Sequence, residues 1–226
     1  MKRDVGPVRL LFSGGVDSGL LAWEWREQSG LGLVTVAAHG GPDLDAARTA
    51  ASRLRAPWAG FEVREEEVGR MADDVAREFG PLPRTSRDVL VALGLALARC
   101  DRGRVLCGQG ADELFLGYAH FRGLSALEAE RRAERDLATL QEVEWPRARR
   151  LAETMGVSLS APYLAADFVT AALGIPIEER LPGARPKGLF RDWAMHRGLP
   201  AEIAERAKRA LQFGSGVARV LRRRAP

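Results

Sequence analysis

Six residues, Ser13-Gly14-Gly15-Val16-Asp17-Ser18, constrain this chain more than any other stretch. They follow Val8-Arg9-Leu10-Leu11-Phe12, a short apolar run that reads as a buried strand, and precede Gly19-Leu20-Leu21-Ala22-Trp23, which reads as the first turns of a helix. A strand that turns on glycines into a helix makes an anion site. Glycine lets the backbone close on a ligand, and the first N–H groups of the helix point at it from the positive end of the helix dipole. Ser13 and Ser18 add hydroxyl donors. Asp17 conflicts with an anion site unless a cation lies between it and the phosphates, a role that suits Mg²⁺. No Gly-Lys-Ser/Thr follows, which excludes the Walker A loop.

The rest of the first half repeats the strand–helix alternation. A first helix is expected from Leu20 to Gln28 and a second strand over Gly32 to Ala38, rich in β-branched residues. Asp43 is expected to cap a helix from Leu44 to Arg55 with Ala46, Ala47, Ala50, Ala51 and Leu54 on one face. Phe61-Glu62-Val63 reads as a third strand and Glu65 to Phe79 as an amphipathic helix closed by Gly80-Pro81. Thr85 or Ser86 would cap a buried helix from Arg87 to Arg99, and Arg104-Val105-Leu106-Cys107 reads as a fourth strand. This pattern predicts an α/β fold, a parallel sheet with flanking helices, whose ligands lie beyond the carboxyl ends of the strands. The fourth strand runs into a second glycine loop, Cys107-Gly108-Gln109-Gly110-Ala111-Asp112-Glu113-Leu114-Phe115. Asp112 is expected to face Asp17 across the sheet end, where two carboxylates can hold Mg²⁺ on a triphosphate.

Composition narrows the class. The chain has 226 residues, of which 46% are hydrophobic and 28% charged, ample for a core. The longest apolar run, Val89 to Ala98, is too short to span a bilayer, and Met1-Lys2-Arg3 leads into Asp4 and Gly6-Pro7 rather than a signal-peptide core. The expected location is the cytoplasm, with no membrane partner. Cys100 and Cys107 form neither a disulfide framework nor a Cys-x-x-Cys metal motif, and His39, His120 and His196 are scattered. The net charge of +4 is nearly all arginine; lysine occurs only at Lys2, Lys187 and Lys208. That balance permits contact with RNA without requiring it.

The first loop resembles the PP-loop of ATP pyrophosphatases, which cleave ATP between the α and β phosphates. With both loops in view, the chain resembles the synthase domain of the glutamine-dependent asparagine synthetase family and its β-lactam-forming relatives. There the first loop reads Ser-Gly-Gly-x-Asp-Ser and the second Gly-Glu-Gly-Ala/Ser-Asp-Glu-Leu-Phe. Further similarity lies at Gly41-Pro42-Asp43-Leu44, Ala161-Pro162-Tyr163-Leu164, Lys187-Gly188-Leu189-Phe190-Arg191, Leu199-Pro200, Arg206-Ala207-Lys208 and Gln212-Phe213-Gly214-Ser215-Gly216, in family order. The resemblance implies an adenine nucleotide alpha hydrolase-like PP-loop fold over residues 1–122, completed by a mainly helical part over 123–226, the two forming one structural domain.

It also implies roles. ATP and Mg²⁺ are the expected cofactors. Ser13, Gly14, Gly15 and Ser18 would hold the pyrophosphate end, Asp17 and Asp112 the Mg²⁺, and adenine would lie near Phe12, Val36, Ala37 and Gly108. Lys208 would stabilise charge as a carboxylate attacks the α-phosphorus, on a loop freed to close by Gly214 and Gly216. Lys187 reads as ordering a helix rather than doing chemistry. The implied reaction is AMP-forming amide synthesis from a small-molecule carboxylate and ammonia or another amine, with asparagine the default product.

Three departures qualify this. Gln109 replaces the family glutamate; an amide cannot act as a base but can orient a substrate by hydrogen bonds. Ser160-Ala161-Pro162-Tyr163-Leu164-Ala165 lacks the arginine and aspartate of the relatives' Arg-x-Pro-Phe/Tyr-Leu-Asp. Lys2 stands where the family's glutaminase domain has its cysteine, so nitrogen is expected from free ammonia, another amine or a separate glutaminase subunit.

Residues from Leu124 to Met155 read as charged helix with an apolar stripe of Leu127, Leu137 and Leu140. Arg219 to Arg224 read as a basic tail, disordered or touching RNA. Two alternatives to the ligase stand at this level: a PP-loop enzyme acting on tRNA, and a non-catalytic nucleotide-binding subunit.

Overall fold

Strand β1 (Val8–Leu11) lies at the centre of a five-stranded sheet in the computed structural model, which describes residues 7–28, 30–41, 43–183, 185–207 and 211–224. The chain passes from β1 through helix α1 (Val16–Trp25) to β2 (Leu31–Ala38), then through α2 (Asp43–Leu54) to β3 (Trp58–Val63). Two helices, α3 (Glu65–Phe79) and α4 (Arg84–Leu97), carry it back across to β4 (Gly103–Leu106) on the other side of β1. After α5 (Ala111–Leu114), α6 (Ala126–Thr139) and α7 (Trp145–Thr154), β5 (Val157–Ser160) completes the sheet order β3-β2-β1-β4-β5, every pair parallel. Short helices finish the chain: α8 (Ala166–Leu173), α9 (Ile177–Arg180), α10 (Gly188–His196), α11 (Ala201–Ala204), α12 (Leu211–Gly214) and α13 (Val217–Arg224).

The strand pattern explains the sheet. Helices cover both faces: β2 is buried at seven of its eight positions, all but Gly32, while β1 buries Val8 and Leu10 fully on one face and leaves Arg9 and Leu11 half-buried on the other. Strand order reverses between β1 and β4, and the loops that leave their carboxyl ends meet there.

Several boundaries differ from the sequence expectation. Helix α1 starts at Val16 rather than Leu20, which puts Asp17 and Ser18 in its first turn. Strand β3 reaches back to Trp58, whose indole N–H donates to the Thr35 hydroxyl (2.9 Å). Asp43 is the first residue of α2, and α4 starts at Arg84 after Pro83. Neither Thr85 nor Ser86 caps α4; Ser86 Oγ instead donates to Glu144 (2.8 Å). Strand β5 was not expected: only Val157 and Leu159 point inward, and the alternating serines give a weak strand signal at the sheet edge.

Two further expectations are corrected. Leu127 is exposed, and the buried stripe of α6 is Ala129, Ala133 and Leu137, continuing to Leu140. Leu127 precedes Leu137 by ten residues, which at 3.6 residues per turn sets it well round the helix from that stripe. The basic tail is a helix packed on the core: Val217, Val220 and Leu221 of α13 are buried beside Val36, Val68 and Leu95, with arginines on the outer face. Among the described residues no helix is long and apolar enough to cross a membrane.

Candidate functional site: a nucleotide cleft with a bridged carboxylate pair

The loop after β1 closes on itself. Ser13 N–H donates to Ser18 Oγ (3.2 Å), the two serine hydroxyls lie 3.3 Å apart, and Gly15 N–H donates to Ser13 Oγ (3.4 Å). Phe12 carbonyl accepts from Thr35 Oγ1 on β2 (2.5 Å). Gly14 is held at φ +72°, and a Cβ there would come within 2.8 Å of the Ala46 carbonyl oxygen and 2.9 Å of Ala47 Cα. Only glycine lets α2 pack this tightly against the turn.

The second half of the chain grips the same loop. Tyr163 Oη donates to the Asp17 carbonyl (2.7 Å), and burial, then the nearby Asp17 charge, keeps that phenol protonated far above its usual range. Arg206 donates to the Ser13 carbonyl and pairs with the buried Asp43 (2.9 Å). Gly214 ends α12 directly against Asp43, where a Cβ would fall 2.1 Å from its carboxylate oxygen. Close approach, rather than loop freedom, is what requires glycine there.

The loop after β4 packs onto the first one. A Cβ at Gly108 would lie 3.1 Å from Asp17 Cβ, and Gly110, at φ +99°, turns the chain into α5. Asp112, in the first turn of α5, faces Asp17 as expected. Between them sits the ammonium of Lys187, 2.6 Å from an oxygen of each. Its side chain is wholly enclosed. Burial alone would lower the Lys187 pKa, but Asp112 and Asp17 outweigh it and hold the ammonium above the usual lysine value. Next along α5, Glu113 is buried and accepts from Tyr118 Oη (2.5 Å). Burial, reinforced by the neighbouring Asp112 charge, raises its pKa to about 7.

A single cleft of about 440 Å³ runs over these loops. Its wall takes in Phe12, Ser13, Asp17, Ser18, Val36, Gly108, Gln109 and Asp112, so most of the expected nucleotide residues meet at one surface. Gly14 and Gly15 shape the turn beneath it. Ala37 is fully buried and does not line it. Lys208 lies outside the described residues, as does Pro42 of the Gly41-Pro42-Asp43 segment. The same cleft is also lined by Gln109, Glu113, Tyr118, His120, Asp136 and Glu144. Asp136 is held by His120 (2.8 Å) and Arg132 (3.0 Å), and Glu144 by Ser86 and Arg147. No lysine or arginine among the described residues lines the cleft itself.

Lys187, Arg206, Asp43 and Tyr163 were not read from the sequence as site residues. Two signals pointed to them: each lies in a segment similar to the family, and lysine is scarce, the chain having three and placing one of them, Lys187, between its two loop aspartates.

The carboxylate oxygens of Asp17 and Asp112 are hard donors facing one point, a chemistry that fits Mg²⁺. Among the described residues no cluster of three or more His, Cys, Asp or Glu offers a complete metal site. An ion at this point therefore takes its remaining ligands from elsewhere, as from phosphate oxygens and water.

A glycine loop between a parallel strand and a helix, joined at the strand-order switch by a second acidic glycine loop, defines a nucleotide-binding α/β protein of the PP-loop kind. The family model for asparagine synthase matches residues 1–134 and 123–225, and the chain belongs to that family. It is 28% identical over 253 residues to putative asparagine synthetase [glutamine-hydrolyzing] 1 of Methanocaldococcus jannaschii, covering 95% of this chain and 47% of that protein. Asparagine synthetase B [glutamine-hydrolyzing] of Escherichia coli is 28% identical over 244 residues, covering 93% and 41%. Asparagine synthetase [glutamine-hydrolyzing] 1 of Arabidopsis thaliana is 26% identical over 245 residues, covering 93% and 40%. The chain thus spans less than half the length of these relatives. Among solved structures, a predicted subunit of tRNA methyltransferase from Methanocaldococcus jannaschii aligns with a TM-score of 0.41 and 16% identity, over 87% of this chain and 90% of that one.

Proposed function

We propose that the protein is an ATP-dependent amide ligase of the AMP-forming type. The observation that carries this reading is the continuity of the cleft: one cavity of about 440 Å³ is lined by the phosphate-binding turn, by the carboxylate pair and by the polar side chains of Gln109, Glu113, Tyr118 and His120. In the reaction, a substrate carboxylate oxygen attacks the α-phosphorus of ATP and pyrophosphate leaves. The amine then attacks the acyl carbon, the C–O bond to AMP breaks, and the nitrogen gives up a proton.

The chain's own groups suit these steps. The Ser13–Ser18 turn and the start of α1 present hydroxyl and N–H donors to the pyrophosphate end. Asp17 and Asp112 would hold Mg²⁺, which when bound neutralises charge on the polyphosphate. Phe12, Val36 and Gly108 line the wall where adenine would rest, with Ala37 packed behind it. Gln109 would orient the acceptor by hydrogen bonds, and Lys208 would stabilise the charge that develops at the α-phosphate. The cleft lining also includes the carboxylates of Asp136 and Glu144 and the Tyr118–Glu113 pair, which would face the incoming substrate. These groups suit a nitrogen nucleophile, either ammonia, whether free or released by a separate glutaminase subunit, or another amine.

Aspartate and ammonia, giving asparagine, are the default pair to assay. The test is product analysis with ATP, Mg²⁺, ammonia and a panel of carboxylates. AMP and pyrophosphate formed in equal amounts with one acid, together with its amide, support the ligase. No AMP with any acid, with ammonia or amines present, refutes it.

A further inference from the structure

We infer that Lys187 is the resident counter-ion of the Asp17–Asp112 pair, and that it makes divalent-cation binding at this point conditional on nucleotide. The inference rests on the ligase reading only in taking the pair as the metal-facing carboxylates.

Three features of the structure carry it. First, the ammonium occupies the point on which both carboxylates converge, 2.6 Å from each, with its stem wholly enclosed. A buried ammonium is stable only when paired, and here it is paired with two carboxylates at once. Second, the surroundings are shaped for this seat. Lys187 holds a left-handed backbone conformation (φ 57°, ψ 35°) just before α10, an unusual state for a residue other than glycine. Opposite it, a Cβ on Gly117 would fall 2.3 Å from Lys187 Cε and 2.0 Å from the Asp112 oxygen, so the missing side chain there makes the room. Third, the donor set is sparse: no third His, Cys, Asp or Glu among the described residues joins the pair in a metal-binding group.

A divalent ion entering the free protein would meet an ammonium of like charge and too few oxygens to replace its water. A triphosphate changes both terms. It brings its own oxygens, and its negative charge offsets the crowding of two cations. Metal is therefore admitted with the nucleotide and excluded without it. Lys187 is a positioning residue: in the free protein it keeps two carboxylates from repelling each other and holds the two loops together.

The test reads metal occupancy rather than turnover. Mn²⁺ is titrated into the metal-free full chain and free Mn²⁺ is followed by electron paramagnetic resonance, with and without α,β-methylene-ATP, and the Mn²⁺ taken up by the nucleotide alone in a protein-free blank is subtracted. Wild type is expected to bind Mn²⁺ only in the presence of the nucleotide. Lys187→Met, its fold checked by circular dichroism, is expected to bind Mn²⁺ without nucleotide at least about tenfold more tightly than wild type, because the like charge is gone. Lys187→Arg keeps a cation there and is expected to keep nucleotide-free Mn²⁺ out. Wild type that binds Mn²⁺ equally well without nucleotide overturns the inference, as does a folded Lys187→Met no tighter than wild type. If Lys187→Met fails to fold, the wild-type comparison decides alone. Failure to form AMP with any acid would refute the ligase reading and leave this occupancy result standing.

Discussion

Replacing Glu113 by glutamine should make the protein more stable at neutral pH, by an amount that grows with pH. Glu113 is buried on α5 beside Asp112, and its pKa is raised to about 7 from an ordinary 4.5 by burial first and the Asp112 charge second. Between those values the folded chain holds a proton that the unfolded chain has released. Stability contributed by the neutral carboxyl is fully present below about pH 4.5 and is lost as pH rises toward 7. The shift corresponds to about 3 kcal/mol at 1.36 kcal/mol per pH unit. Glutamine mimics the protonated acid and still accepts a hydrogen bond from Tyr118 Oη. The assay is urea denaturation of wild type and Glu113→Gln in metal-free buffer from pH 4 to 8. The variant's advantage should rise by about 3 kcal/mol across that range, most of it between pH 5 and 7. A difference that stays flat, or shrinks as pH rises, would refute the reasoning: it would mean Glu113 ionises in the folded protein as readily as it does in water, or more readily.

Gly14→Ala forces a left-handed residue against the backbone of α2; it should cost roughly 2 kcal/mol or more and abolish the thermal shift produced by ATP, read by differential scanning fluorimetry. Tyr163→Phe leaves the Asp17 carbonyl without its hydroxyl donor and should lower stability by about 1 to 3 kcal/mol in urea, with circular dichroism unchanged. Cys107 is buried, and burial pushes its thiol up to about 12, so native protein at pH 8 should resist iodoacetamide at this residue while urea-unfolded protein reacts. The ligase reading expects no salt-steep retention by tRNA; binding that falls steeply with salt would favour an RNA-activating enzyme instead.

The parts of the fold that were legible were those where a local pattern and a tertiary need coincide. The apolar strands β1 and β2 sit in the middle of the sheet, and the Ser13–Ser18 turn must be glycine-rich wherever it occurs, so both announce themselves. Edge strand β5 buries only Val157 and Leu159 and has little pattern to show. Helix α13 looked like a charged tail because only four of its eight residues, Val217, Ala218, Val220 and Leu221, are buried, while arginines fill the rest. In the site, Asp17 and Asp112 were readable from their own loops. Lys187 was not: its partners lie 170 and 75 residues away, and no local rule links a lysine before a helix to a pair of distant carboxylates.

Those separations bear on how the protein is made. The phosphate turn is completed early, but the three groups that secure it come late: Tyr163 follows Asp17 by 146 residues, Lys187 follows it by 170, and Arg206 follows Ser13 by 193. At about 5 to 20 residues per second on the ribosome, roughly 10 to 35 s pass between synthesis of Asp17 and of its ammonium partner. During that interval the nascent chain carries an acidic nucleotide loop with no clasp, so ATP competence should arrive in a single late step as α10 and α11 emerge.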